Sequence, residues 1–166
     1  LTLRGTPMAL YPVAGMKIYI GGVLADKSTD FIESDFAGQV WTEIDGWQQM
    51  GALDDSAQEI TESLINRGRD VKQKGTAQAP SMQNVFVVVP GDAGQAALIN
   101  AARPANKNNY AFKIEGNEDG VSSKSKRLFI GLVMSAAEAG GEANTIQKMN
   151  GTVSINSNIV KVAAVA

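Results

Sequence analysis

The sequence contains neither cysteine nor histidine. Without cysteine there is no disulfide, no thiolate nucleophile and no zinc–thiolate site. Without histidine the chain lacks the side chain that titrates nearest neutrality and the commonest transition-metal ligand. No window reaches the roughly 18 apolar residues of a membrane-spanning helix. The first stretch, LTLRGTPMALYPVAGM, has no unbroken apolar run and makes a poor secretory signal. Residues 1–15 are therefore expected to be an N-terminal arm or to lie outside the native chain, with residue 1, Met8 and Met16 as alternative native starts. A surplus of one charge is missing too. Fifteen Lys and Arg stand against seventeen Asp and Glu, a formal charge of -2, so no concentrated positive field waits for a phosphate backbone.

Catalysis would have to fall to carboxylates, lysines, hydroxyls or tyrosines. Asp54-Asp55, Glu43/Asp45 and Glu118-Asp119 are acidic pairs close in sequence. Adjacency does not place two carboxyl groups across a scissile bond, and solvated turns and strand faces account for all three. GNEDG, at 116–120, offers oxygen ligands without the spacing of a calcium loop and reads as a turn. There is no GxxxxGK[ST] and no usable GxGxxG. Two basic patches, Arg67/Arg69/Lys72/Lys74 and Lys124/Lys126/Arg127, lack the interleaved aromatic residues on which bases stack. The residues give no reason to expect an enzyme, a cofactor or a bound metal.

What is present is β-pattern. Apolar residues make up 44% of 166, enough for one domain with a core and too few for two comfortable ones. MKIYIGGVL (16–24) alternates, with Ile18 and Ile20 on one face. QVWTEIDGW (39–47) alternates again, with Val40, Thr42 and Ile44 on one side and Trp41, Glu43 and Asp45 on the other. NVFVVV (84–89) and RLFIGLVMSA (127–136) are apolar on both faces, as strands covered on both sides are. NNYAFKIEG places Tyr110, Phe112 and Ile114 inward, and Ala111, Lys113 and Glu115 outward. TIQKMNGTVSINSNIVKVAAV supplies two or three more strands, broken near 156–158 and at Asn150-Gly151, a strong hairpin signal. Residues 58–65 fit two patterns equally. Ser56 with Glu59 makes a capping box and Ile60 with Leu64 a helical pair, yet Ile60 and Leu64 also share one face of a strand.

One helix interrupts this. In GDAGQAALINAARPANKNN, Asp92 is a good N-cap with Gln95 as its capping-box partner, and Pro104 stops the helix by disfavouring helical geometry at Arg103. The helix is expected over about 92–102, with a shallow face of Ala97, Leu98, Ala101 and Ala102 lying against a sheet. Residues 66–83, NRGRDVKQKGTAQAPSMQ, have no useful period and are expected to form a long loop, which in a compact domain calls for a functional reason. Charge is segregated around it. Asp54, Asp55, Glu59 and Glu62 put four negatives into nine residues, and Arg67, Arg69, Lys72 and Lys74 stand against Asp70 alone in the next block. A solvated hairpin explains this. So does a docking element in which a positive loop meets an acidic surface of another subunit, which makes Asp54, Asp55, Arg67, Arg69, Lys72 and Lys74 candidate interface residues. The sum is a mainly β domain over 16–166: two packed antiparallel sheets, as a sandwich or barrel, with one flanking helix.

The order of parts resembles the phage tail tube proteins, the major tail proteins of long-tailed phages, and their relatives in type VI secretion and contractile injection machines. The resemblance rests on the strand at 85–89, the turn Gly91-Asp92, the Gln/Ala/Leu helix from Gln95 to Leu98 and the aromatic strand 110–115. GQVWTEIDGW and QEITES before them add to it. It runs from Met16 to Val165, makes 58–65 a strand, and implies no C-terminal immunoglobulin-like domain. It also implies a non-enzymatic subunit of the virion tail, assembled in the host cytoplasm. Copies would form hexameric rings, stacked into a conduit for DNA ejection and joined to tape measure and terminator proteins. Genomic DNA would pass without specific binding, and no membrane is involved. A lumen with few cations would let DNA slide. Polar strand faces then suggest Glu43, Glu59, Thr61, Ser63, Thr152, Ser154 and Asn156 as lumen-facing positions. Rival readings are an inner-tube subunit of a type VI or contractile machine, a calcium- or carbohydrate-binding β-sandwich, and an adhesin- or pilin-like module.

Overall fold

A computed structural model describes residues 10–166; Met8 and residues 1–9 of the expected arm lie outside the described residues. Strand makes up 43% of the chain. The elements run β1 (Lys17–Val23), β2 (Thr42–Glu43), β3 (Trp47–Gln49), β4 (Ser56–Glu62), β5 (Val71–Gln78), β6 (Ser81–Val87), α1 (Ala93–Ala101), β7 (Tyr110–Glu115), β8 (Lys126–Ala139), β9 (Lys148–Ile155) and β10 (Val160–Val162). The expected mainly β architecture of two antiparallel sheets and one flanking helix is present. The sheets are unequal. Seven strands follow the order β2-β1-β7-β8-β9-β6-β3, with β10 added to β8, and the second sheet is the hairpin β4-β5 alone.

The large sheet curls on itself into a half-barrel. β2 and β3 stand at opposite ends of its strand order, yet only three residues separate them in the chain. The stretch 39–47, expected as a single strand, is therefore broken at Asp45-Gly46. Gly46 adopts φ +76°, a conformation that favours glycine, and turns the chain from one edge of the sheet to the other. On one side of the corner Ile44 N donates to Ile18 O at 2.9 Å. On the other, Val87 N donates to Gly46 O at 2.7 Å. Ile44 points into the core as its alternation predicts, whereas Val40 is exposed because no strand has yet begun there.

The hollow of the curl holds the main core, built on Ile18 and Ile20 of β1, Met82 and Phe86 of β6, Phe112 and Ile114 of β7, and Phe129 of β8. Phe112 and Phe129 stack with centroids 5.6 Å apart. The sheet's other face is covered only in part, where Phe31 and Phe36 lie on Ala111, Leu128 and Ile130. That cover explains why β8 is apolar on both faces, and why Ala111, expected outward, is fully buried.

Asn150-Gly151 makes no hairpin. β9 runs straight through it, pairing Asn150 with Val85 and Gly151 with Asn84. Glycine is needed there because a Cβ would meet Phe86 Cε2 at 3.0 Å and Leu98 Cδ2 at 3.3 Å. Gly151→Val should therefore overpack the core and cost about 1–3 kcal/mol. Thermal unfolding checks this through a midpoint lowered by several degrees.

Residues 66–83, expected as a loop, contain all of β5 and the start of β6. β4 and β5 pair from Ser56↔Gln78 to Glu62↔Val71, which confirms 58–65 as mostly strand and not helix. The pairing leaves no apolar period because almost every side chain of both strands faces solvent.

Candidate assembly surfaces

The helix forms where its signals place it, with the Asp92 carboxylate accepting from Gln95 N at 2.9 Å. The reciprocal half of the capping box is absent. The Gln95 side chain, buried, reaches across the sheet seam instead. Its Nε2 donates to Asp45 O and to Val87 O, both at 2.8 Å, and its Oε1 accepts from Val89 N at 3.1 Å. Asp92 Oδ2 also accepts from Asp45 N at 3.2 Å. Gly94 sits against the Glu43 carbonyl, with Ile44 Cα 2.6 Å from where a Cβ would lie. The first turn of α1 thus clasps the corner that joins the two ends of the curled sheet. The body carries no catalytic constellation among its described residues, and what remains to be explained is its surface.

The first surface is the β4-β5 hairpin. It stands off the body, and the hydrogen bonds and ion pair of its side chains stay within it: Lys72 Nζ with Glu59 Oε1 at 3.0 Å, Thr61 Oγ1 to Glu59 at 3.2 Å, Ser63 Oγ to Asp70 at 2.6 Å and Ser56 Oγ to Gln78 O at 3.0 Å. Ile60, Leu64, Ile65 and Val71 are exposed on it. The charge segregation of the sequence is partly cancelled within the hairpin, since Glu59 faces Lys74 across the strands and pairs diagonally with Lys72. Asp54 and Asp55 lie at the root, with Asp55 bordering a groove beside Gln78 and Asn156. Arg67 and Arg69 lie at the tip and make no ion pair among the described residues.

The second surface is the outer face of β6, β9 and the end of β8. Register aligns Ser81, Ser154 and Leu132 in one row, Gln83, Thr152 and Ser135 in the next, and Val85, Asn150 and Ala137 in a third. Thr152 Oγ1 bonds Gln83 at 3.0 Å, and Asn156, just past the strand, bonds Asn109 at 3.2 Å. No charged side chain stands in these three rows. The third surface is the outer face of β2, β1 and β7. Glu43 pairs with Lys17 at 3.5 Å there, and Lys113 lies over the rings of Tyr19 and Trp41 at 4.3 and 5.3 Å. Burial holds the Lys113 ammonium below the ordinary lysine range. The suggested lumen positions therefore fall in three places: Glu43 alone, Glu59/Thr61/Ser63 on the hairpin, and Thr152/Ser154/Asn156 together on or beside the neutral rows.

No family model matches the sequence, and no curated protein matches it. Solved structures do match its shape. A chain of the sheath/tube terminator of the PVC extracellular contractile injection system, in the extended state, superposes with a TM-score of 0.69 at 17% identity, over 95% of this chain and all of that one. A chain of the PVC sheath–tube complex gives 0.66 at 14% identity, over 95% and 94%. The SPP1 tail tube gives 0.64 at 16% identity, over 93% and 81%. The chain has the tail-tube fold. At these identities the likeness concerns backbone, so it leaves the side chains of each surface to be read on their own terms.

In this tail-tube fold the remaining oxygen-rich turn is internally satisfied. Both carboxylate oxygens of Glu118 accept from Ser125, one from its hydroxyl and one from its N–H at 3.3 Å, and this holds Glu118 below the usual carboxylate range. Among the described residues no three acidic side chains gather as a cation site. Sequence reasoning missed the Gln95 clasp. It also passed over the turn between β8 and β9, where Ile146 is exposed beside Glu138 and Glu142. An isoleucine inside a Gly-rich acidic turn was the available signal.

Proposed function

We propose that the chain is a structural tube-type subunit, without enzymatic activity, whose copies form hexameric rings that stack into a hollow conduit. The observation that carries this reading is the hairpin. An isolated two-stranded ribbon is at best marginally stable in water, and this one exposes four large apolar residues. A ribbon of that kind needs a partner, and in a tail-tube fold the partner at hand is another copy. Closing a ring also removes the open sheet edges that β2 and β3 present. The neutral rows of β6, β9 and β8, with Thr152 and Ser154 at their centre, are the face best suited to a lumen through which genomic DNA slides, because Lys148, in the row beyond them, is the one cation that the paired strands add to this face. Placed in a virion tail and assembled in the host cytoplasm, such a tube would meet a tape measure inside and a terminator at its end.

A second reading, an inner-tube subunit of a contractile machine, is favoured by the likeness to PVC chains. Both readings share the ring and the stack. Negative-stain electron microscopy of the concentrated protein tests them together, with rings and tubes about as wide as a tail as the expected result; single particles at every concentration refute the reading. Reversing Arg67, Arg69, Lys72 and Lys74 to Glu should leave the unfolding midpoint unchanged and abolish tubes in the same micrographs. Normal tubes from that variant refute the docking role.

A further inference from the structure

The position of the hairpin on the body identifies what receives it. β6 and β9 pair from Ser81↔Ser154 to Val87↔Lys148. The hairpin root, Gln78, lies just before Ser81 and so at the first end of these strands. The turn between β8 and β9, residues 140–147, lies at the opposite end, beyond Ala139↔Lys148. We propose that the hairpin tip of one copy seats on the β8–β9 turn of the next copy, joining subunits head to tail. The proposal rests on the tube reading above and names the surface that couples successive layers.

The two surfaces complement each other. The tip carries Arg67 and Arg69 around the fully exposed Ile65, and Arg67 N closes the turn onto Leu64 O at 3.0 Å. The receiving turn carries Glu138 and Glu142 around Ile146, which is 69% exposed; the nearest cation in sequence is Lys148, opposite Ala139 at the base of the turn. These three residues line a shallow groove of about 440 Å³. Thr145 gives the turn a fixed shape, its N–H and its hydroxyl both bonded to Glu142 O, at 3.1 and 2.7 Å. Arg67 and Arg69, like Glu138 and Glu142, lack ion-pair partners among the described residues. An apolar contact rimmed by opposite charges is the ordinary anatomy of a specific interface. The hairpin root and the receiver lie at opposite ends of one subunit, and donor and receiver are different surfaces, so the contact is heterologous, and each addition exposes a fresh receiver. Asp54 and Asp55 sit at the hairpin's own root, at the end of the body opposite the β8–β9 turn.

The absence of cysteine makes the contact directly testable. Ile65→Cys combined with Ile146→Cys, oxidised under tube-forming conditions, should give a ladder of covalent multimers on a denaturing gel. Each single variant should stop at dimers. Separately, Glu138→Lys/Glu142→Lys and Arg67→Glu/Arg69→Glu should each raise the protein concentration needed for tubes by at least about tenfold, and their combination in one chain should bring it back towards wild type. All these side chains are exposed, and an unchanged melting curve verifies that the variants fold. Wild-type tubes accompanied by normal tubes from Glu138→Lys/Glu142→Lys overturn the receiving surface and leave the tube reading intact. So does the absence of a ladder together with no recovery in the combined variant. Failure of the wild type to assemble at all removes the tube reading, and this inference with it.

Discussion

Gln95→Leu is expected to destabilise the fold by about 3–5 kcal/mol, a large share of the 5–15 kcal/mol that holds a typical domain together. Leucine matches glutamine closely in volume, so the loss is one of hydrogen bonding and leaves little cavity. Three backbone groups would lose their partner: Asp45 O, Val87 O and Val89 N–H. The three bonds are part-buried, and each partner lost there costs about 1–1.5 kcal/mol. Two of the three, Asp45 O and Val87 O, lie on the two sides of the Gly46 corner that links β2 to β3, so the effect should reach both edges. Urea unfolding checks the magnitude, and hydrogen exchange should show faster opening at Val87 and Ile44 than at Phe129. Gln95→Glu gives a signed control. A carboxylate in that position faces two carbonyl oxygens, which raises its folded pKa above the unfolded value. The variant should recover part of the lost stability at low pH, where the protonated carboxyl can donate its single O–H to one of the two carbonyls, and lose it as pH rises through the folded pKa. Equal loss at acidic and neutral pH would mean that the amide does not donate across the seam.

The legible parts of the fold were those with one buried side. Ile18 and Ile20 alternate against solvent and announced β1, and Asp92 with Pro104 bracketed α1 because caps and prolines act locally. Two features were hidden for opposite reasons. β5 reads VKQKGTAQ, with no apolar face to reveal a strand, since both faces of the hairpin are wet. Gly151 imitates a turn because Asn-Gly is a turn signal whenever nothing larger intervenes. Here Phe86 and Leu98 fill the space above it, a contact between residues 65 and 53 positions away in the chain that no local pattern encodes. The seam at Gly46 is of the same kind. QVWTEIDGW alternates as one strand, but the chain crosses within it from one edge of the curled sheet to the other, and that curl is a property of the whole sheet. The assembly surfaces were half legible. The charge blocks around 54–74 pointed to the hairpin, while the ion pair shows that Lys72 is spent on Glu59 and that Arg67 and Arg69 are the cations left at the tip. The neutral rows escaped notice as a unit because Gln83, Thr152 and Ser135 come from three distant segments.

Excising residues 57–77 and closing Ser56 to Gln78 through an Asn-Gly turn should separate folding from assembly completely. Ser56 and Gln78 already face each other across the hairpin root, which suits a two-residue turn. None of the main-core side chains lies in the excised segment. Leu53 and Ala79, which pack against that core from either side of the root, are retained. The shortened chain should therefore unfold within about 1 kcal/mol of the wild type, because shortening a loop changes closure entropy only slowly. Its assembly should be lost altogether, with no tubes at ten times the concentration at which the wild type forms them. The contrast follows from where the hairpin's apolar residues sit. Ile60, Leu64, Ile65 and Val71 contribute little to the isolated subunit because they remain in water there, and on the proposed reading they are buried by a second copy. Tubes from the excised chain would show that layers are joined by some other surface. An unfolded excised chain would show that the hairpin belongs to the core, contrary to its exposure along both strands.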